Sequence, residues 1–537
     1  MNLYKQPGIM ISFKTILLFV IVSFAAINSM AQENIKNDSF WTTIEGKPIN
    51  SQGGGIFKFT DPSTGSWKYY WYGVHYTEAD LYRQNHSVTY PNATFESVTC
   101  YSSTDLVNWK SEGDVLSKSE TNQGGKTWVG RLGVAYLSAI QKYALFVQHG
   151  NQVLVTTSDT PTGQFKWHQR INMEPIIGTS NTGDQTVFTD EDTKKSYLVY
   201  SYGRGRNKIY LSEIGIKDGK IGLLDCNQIF HGESREGNCM FKYNGKYYMY
   251  ASNIYGWDGS LAYYLVADDI KGPYLPANKM LVTPGSEEDY AHVSQTGFFV
   301  NVKGTEQETV IFCGDRWANF AGNGLGYNQW CPLSFEQEKP YFNSLNSWNL
   351  EAKTGKWYVA RDNNFVKNGS FEADRRSIPS EVKPLQLVLT GWTTRIITGN
   401  KVSLDSTTSP RLNHFNTTEE RKIVVGEKSL NISDRIDFQR QISQKITSGK
   451  EVKLTDGLYK LTAHIKNTKG FSTLKMYAIS AGKTFEKRIA EENKEWKTII
   501  LPNIKVIGGK VEIGFIIIGK ANSACIIDDV SFTEVEK

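Results

Sequence analysis

Apolar and polar positions alternate in short runs broken by Gly, Asn, Asp and Ser, and the period of an amphipathic helix is nearly absent. One run recurs. It appears as Tyr69-Tyr-Trp-Tyr-Gly73, Tyr143-Ala-Leu-Phe-Val147, Tyr197-Leu-Val-Tyr-Ser201, Tyr247-Tyr-Met-Tyr-Ala251 and Thr309-Val-Ile-Phe-Cys313. Several copies follow a turn with a basic residue, such as Ser66-Trp67-Lys68 or Asn244-Gly245-Lys246. Several precede a second run that ends in a Ser/Asp turn, as in Thr156-Thr-Ser-Asp159 and Tyr264-Leu-Val-Ala-Asp268. Five such units over about 270 residues predict a five-bladed β-propeller, with one small antiparallel sheet per blade.

The pattern stops near Trp357. Asn368-Gly-Ser-Phe-Glu372, Gly391-Trp392, Asp456-Gly-Leu-Tyr-Lys-Leu-Thr462 and Cys525-Ile-Ile-Asp-Asp-Val-Ser-Phe532 read as strands and turns of a separate β-sandwich, or jelly roll. The chain is therefore all-β. The expected division is an export signal over 1–31, a propeller over 32–360 and a sandwich over 361–537.

The export signal is read from Lys5 and Lys14, the apolar run Ile16 to Ile27, and the small-residue cleavage site Ser29-Met30-Ala31. The run is too short for a stable transmembrane helix, and no later segment is apolar enough to span a membrane. A secreted or periplasmic location follows as the expectation. The six Cys lack metal-type spacing, and a Cys313–Cys331 disulfide stays open at this stage. Net charge is +5 with no basic stripe, which argues against nucleic acid as a partner.

A propeller brings the inner ends of its blades around one axis, so carboxylates beside strand starts are the natural search. Asp184 lies in Thr182-Gly-Asp-Gln-Thr-Val-Phe188, and Glu236 in Ser234-Arg-Glu-Gly-Asn-Cys-Met-Phe241. They read as occupying matching places in successive blades. Such a pair suits glycoside hydrolysis, in which one carboxylic acid protonates the leaving oxygen and a neighbour tunes it. Solvated turn carboxylates are the competing reading. Gln52, at the start of the Gly-rich opening Gln52-Gly-Gly-Gly-Ile56, is a candidate substrate contact. So are Trp257 and Trp317, as stacking platforms, and Arg316, either as a hydroxyl clamp or as a partner of Asp315. His292 is the one histidine near this set, and a structural role is the commoner case.

Taken in order over residues ~41–335, these segments resemble glycoside hydrolase family 43. The resemblance is carried by Gly53-Gly-Gly-Ile56, Tyr69-Tyr-Trp-Tyr-Gly73, Tyr101-Ser-Ser-Thr-Asp-Leu-Val-Asn-Trp109, Ser158-Asp-Thr-Pro-Thr-Gly163, Phe188-Thr-Asp-Glu-Asp192, Glu236 before Met240-Phe-Lys242, and Gly314-Asp-Arg-Trp317. It implies a five-bladed propeller that hydrolyses glycosides with inversion. Glu236 becomes the general acid, and Asp184 the carboxylate that raises its pKa and orients it. The Asp base that most of the family has on the first blade is missing, because Ser51-Gln-Gly-Gly-Gly55 stands there. The exo-β-1,3-galactanase group looks closest. It also lacks that Asp and uses a Gln on the last blade, which Gln295 matches. That group typically has Glu-Arg-Pro on the second blade, where Val129-Gly-Arg-Leu-Gly133 stands here. The C-terminal region resembles galactose-binding-like carbohydrate modules, and Trp392 is its candidate contact.

The expected activity is exo-acting, inverting hydrolysis of a galactose-containing plant polysaccharide. It needs no metal and no cofactor, and the chain is expected to be a monomer. Gln295 is expected to hold the attacking water, with roughly 6.5–9.5 Å between acid and water-holding group. An α-L-arabinofuranosidase and a non-catalytic glycan-binding propeller are the alternatives.

Overall fold

The structure is a computed structural model that describes Met1 and residues 34–123, 125, 128–256, 259–286, 293–317, 327–373, 389–400, 411–424, 426–489 and 491–535. The expected export signal, Trp257 and His292 lie outside the described residues. None of the described helices is long and apolar enough to cross a membrane.

Five antiparallel sheets follow one another along the chain. The first holds Gln52–Thr60, Trp67–Tyr76, Phe95–Ser103 and Lys110–Ser117. The second holds Val129–Leu137, Lys142–His149, Gln152–Ser158 and Lys166–Ile171. The third holds Thr182–Thr189, Ser196–Tyr202, Lys208–Lys217 and Lys220–Leu223, with Asn227–His231 also paired to Lys208–Lys217. The fourth is Glu236–Tyr243, Lys246–Ser252, Ala262–Ala267 and Leu281–Val282. The fifth is Gln295–Lys303, Glu308–Arg316, Tyr327–Glu336 and Lys339–Phe342. Each recurring run of the sequence lies on the second strand of its sheet.

The first strand of each sheet packs against the first strand of the next, and Gln295–Lys303 packs back on Gln52–Thr60, which closes a ring. Neighbouring sheets cover both faces of each second strand, and this explains why the runs are apolar without alternation. A separate apolar cluster fills each gap between neighbouring sheets. The one between fifth and first sheets is built on Trp71, Trp109 and Trp330, with Trp41 wedged 4.9 Å from Trp330, ring centre to ring centre.

That last gap is also tied from outside the five sheets. Ile35–Lys36 pairs with Ser347–Glu351, which pairs with Lys356–Val359. The Asn37 side chain donates to the carbonyls of Trp330 and Leu345 at 2.8 and 2.7 Å.

Beyond it, two five-stranded antiparallel sheets share one core that includes Phe371, Ile442, Phe515 and Ile527. Trp392 is part of this core, 5 % exposed, with its indole N–H donated to the Asn368 carbonyl. The sugar-contact role expected of it is corrected: the ring is packed away from solvent. All six cysteines are free, so Cys313 and Cys331 do not form a disulfide although they sit on adjacent strands.

Candidate active site

The innermost strands share a local defect. Near its start each holds one residue more than its partner, between Gln52 and Gly55, Val129 and Leu132, Thr182 and Gln185, Glu236 and Cys239, and Thr296 and Phe298. A bulge bends a strand and re-aims its side chains. Five bulges at one end of a ring turn polar side chains toward a common centre. In register, Gln52, Val129, Thr182, Glu236 and Gln295 are equivalent; two residues on, so are Gly54, Arg131, Asp184, Asn238 and Gly297. Asp184 and Glu236 are therefore two register positions apart, which corrects the matching places expected of them. The bulge brings them together from different positions.

The meeting is close. The Gly237 amide, next to Glu236, donates to Asp184 Oδ2 at 2.9 Å, and the Asn238 side chain donates to the Asp184 carbonyl at 2.9 Å. Gly237 has φ +64, and a Cβ there would lie 2.5 Å from the Thr296 carbonyl, so only glycine fits this turn.

Arg131 is the centre of the network. It is 4 % exposed, and its guanidinium donates to Asp184 Oδ2 at 3.1 Å, Asp315 Oδ2 at 2.7 Å and Gln295 Oε1 at 2.5 Å. Asp315 in turn accepts the Gly53 amide at 3.0 Å. Burial opposes the charge of Arg131, but Asp315 and Asp184 outweigh it and raise its pKa. A rigid fork that serves two carboxylates and an amide at once is a task for arginine rather than lysine.

Gln295 also accepts the Trp317 indole N–H at 2.9 Å, and its own Nε2 donates to Glu236 Oε1 at 2.7 Å. Arg206, on the loop after the second strand of the third sheet, contacts Glu236 Oε2 and reaches Asp184 Oδ1 at 3.4 Å. Its side chain is 31 % exposed, the most open of this group.

The two carboxyls are driven apart in acidity. Burial, and then the charge of Asp184, push Glu236 up to about 8 against the lowering pull of Arg206 and Arg131. Asp184 is equally buried, but Arg206, Arg131 and the Gly237 amide outweigh burial and hold it below the ordinary value. One carboxyl pushed up in pKa beside another held down is the arrangement that proton donation to a leaving group needs.

Of the residues named from sequence, Glu236, Asp184 and Gln295 meet in one network. Gln52 stands at the register position of Glu236 and Gln295, 2 % exposed. Trp317 is 6 % exposed, with its ring in the cluster between first and second sheets and 5.8 Å from the Arg131 guanidinium. It steadies Gln295 from behind and offers no open face for stacking. Arg316 donates to the Trp317 carbonyl at 3.0 Å and to Glu372 Oε2 at 3.5 Å, so its head group is turned to the C-terminal region and the hydroxyl-clamp reading is corrected. Asp315 pairs with Arg131 instead. The expected span is corrected too. Gln295 and Glu236 are in direct contact, with no room for a water and a sugar between them.

Arg131 and Arg206 escaped the sequence reading, and Asp315 entered it only as a partner for Arg316. Arg131 had one usable signal. Val129-Gly-Arg opens its sheet as Thr182-Gly-Asp opens the third, and Glu236-Gly and Gln52-Gly repeat the glycine. Among the described residues no cluster of His, Cys, Asp and Glu fits a metal ion.

Residues 72–325 match the family model of Glycosyl hydrolases family 43. In structure the chain is similar to an exo-beta-1,3-galactanase from Phanerochaete chrysosporium solved with beta-1,3-galactotriose, at 19 % identity and TM-score 0.53, over 93 % of this chain and 100 % of that one. It is also similar to an exo-beta-1,3-galactanase from Clostridium thermocellum, at 18 % identity and TM-score 0.51, over 87 % of this chain and 100 % of that one. Likeness at this identity speaks for the fold. A comparison with curated protein sequences gives no match.

Proposed function

The chain belongs to glycosyl hydrolases family 43 through residues 72–325, and from that premise we propose an exo-acting, inverting hydrolase of β-1,3-linked galactose polymers. The observation that carries this reading is Glu236 buried in one network with Asp184 and Gln295, where burial and the Asp184 charge raise its pKa. In the reading, Glu236 protonates the glycosidic oxygen. Asp184 keeps the proton on Glu236 until the leaving oxygen arrives, and its charge offsets the positive charge that develops on the sugar ring.

Both Glu236 oxygens already accept donors, one from Gln295 and one from Arg206. The reading therefore requires the incoming sugar to part these contacts. Arg206, the most exposed of the set, swings away from Oε2. Gln295 separates from Oε1 as the ring enters between them. Gln295 then holds the water. An amide is a poor base, so it orients and polarises the water, and the proton the water sheds on bonding to the anomeric carbon passes to solvent, as the Glu236 proton passes to the leaving oxygen.

The five sheets are the blades of a propeller over 32–360, supported by their ring of inner strands. Residues 361–537 form a carbohydrate-module-like sandwich, supported by their two sheets around one core. Residues 1–31 direct export.

Product analysis tests the proposal. β-1,3-Galactan should release galactose from its end, with the opposite anomeric configuration in the first NMR spectra. Cleavage of an aryl α-L-arabinofuranoside with no release from galactan would move the substrate to the arabinose branch, and net retention would discard the inverting course.

A further inference from the structure

A cavity runs along the ring of first strands, from Gly55 and Cys239 near the bulges to its mouth at the far ends of those strands. Its volume is about 850 Å³, within the range of small-molecule sites. It is bordered by the far ends of the first strands, including Phe57, Phe188, Lys242 and Phe299. Glu236 and Lys242 belong to one strand. At ~3.3 Å per residue, the six steps between them put the far mouth roughly 20 Å from the acid, while Cys239, three steps along, lines the inner end at about 10 Å.

We propose that this cavity is a second carbohydrate site, which takes a neutral oligosaccharide. The first support is aromatic. Trp67 and Tyr136 border the cavity and are 58 % and 41 % exposed, whereas Trp71 and Tyr72 a few residues away are fully buried. Large rings left in water at the mouth of a cavity mark a binding surface, and their flat faces match the C–H face of a pyranose. The Lys58 ammonium lies 5.8 Å from the Trp67 ring and 5.9 Å from the Tyr69 ring, so it holds both rings at the rim.

The second support is charge balance. Asp159, Asp190, Glu191 and Asp192 border the cavity, and each is paired with a lysine: Lys142, Lys242, Lys303 and Lys242 in turn. Paired charges leave little net field to select an ion. They do leave a row of acceptors and donors at fixed spacing, and that is what sugar hydroxyls bind.

The test uses the full chain carrying Glu236→Gln, which slows turnover by about 10²–10⁴-fold so that binding is read first. Calorimetric titration with β-1,3-galactotriose, β-1,4-galactotriose and α-1,5-arabinotriose should give, for at least one sugar, a binding event that Trp67→Ala weakens by about tenfold or more. Tyr136→Ala should weaken the same event. Trp67 is largely exposed, so its replacement leaves the fold intact and circular dichroism checks this. With the acid restored, Trp67→Ala should lower kcat/KM on the polymer and leave it unchanged on an aryl monoglycoside. Binding insensitive to both substitutions for all three sugars, or no binding beyond it, overturns the second site. A Trp67-independent event reports the catalytic cleft by itself, so the two proposals fail separately.

Discussion

The Gln295 amide donates to Glu236 Oε1 at 2.7 Å while its own oxygen accepts from both Arg131 and Trp317. The orientation of the amide is thus set from behind by two fixed donors, and its N–H is left to face the acid. Everything expected of the site depends on how this contact responds to change.

Glu236→Gln removes the transferable proton and keeps the shape. The turnover number on β-1,3-galactan should fall by about 10²–10⁴-fold, the usual contribution of a general acid, with an unchanged melting curve.

The pH profile should carry the raised acidity constant. Glu236 donates only when protonated, so kcat/KM should decline as pH rises through about 8. The Asp184 charge is the second cause of the shift, after burial, so Asp184→Asn should move that decline to lower pH. For stability, the folded chain holds a proton here between the ordinary carboxylate value of about 4.3 and 8, whereas the unfolded chain has lost it. Stability contributed by this group therefore falls as pH rises across that window.

Gln295→Glu puts a carboxylate against Glu236, and like charges disfavour ionisation. Its alkaline limb should move upward relative to wild type. Gln295→Ala should do so too, because the amide hydrogen bond favours the charged form. The Ala variant should in addition lose turnover. A kcat within about threefold of wild type would discard the water-holding role.

Arg131→Met would leave Asp184 and Asp315 buried without their shared cation. The expected cost is about 3–5 kcal/mol in urea unfolding. Arg131→Lys restores charge but no fork, and should recover only part of the stability.

Gly237→Ala forces a side chain into a left-handed turn and against the Thr296 carbonyl. A loss of about 1–3 kcal/mol is expected, with reduced activity, because the same turn aims an amide at Asp184.

The sheets were readable because each second strand is buried on both faces, which imposes one Tyr- and Val-rich run per sheet. Asp184 and Glu236 were readable as carboxylates at strand starts, whereas Gln295 was reached only through the family resemblance. Arg131 and Arg206 were not. An arginine looks the same in a string whether it reaches solvent or two carboxylates, and only the bulges reveal which starts converge. The wrong assignments have one cause as well. Arg316, Trp317 and Trp392 are near a site or a module in sequence, but direction is decided by strand alternation and packing. Neighbouring residues on the strand that ends Gly314-Asp315-Arg316 point to opposite faces, Asp315 to the centre and Arg316 to Glu372.

The short pairing of Ile35–Lys36 with Ser347–Glu351 acts as a clasp between positions more than three hundred residues apart. The wheel stays open until the ribosome has delivered nearly the whole of its rim, so assembly is a late, long-range event. Proteolytic trimming past Ile35 would undo the fastening while sparing every catalytic group, and activity would then decay through loosening of the wheel rather than through damage to its hub.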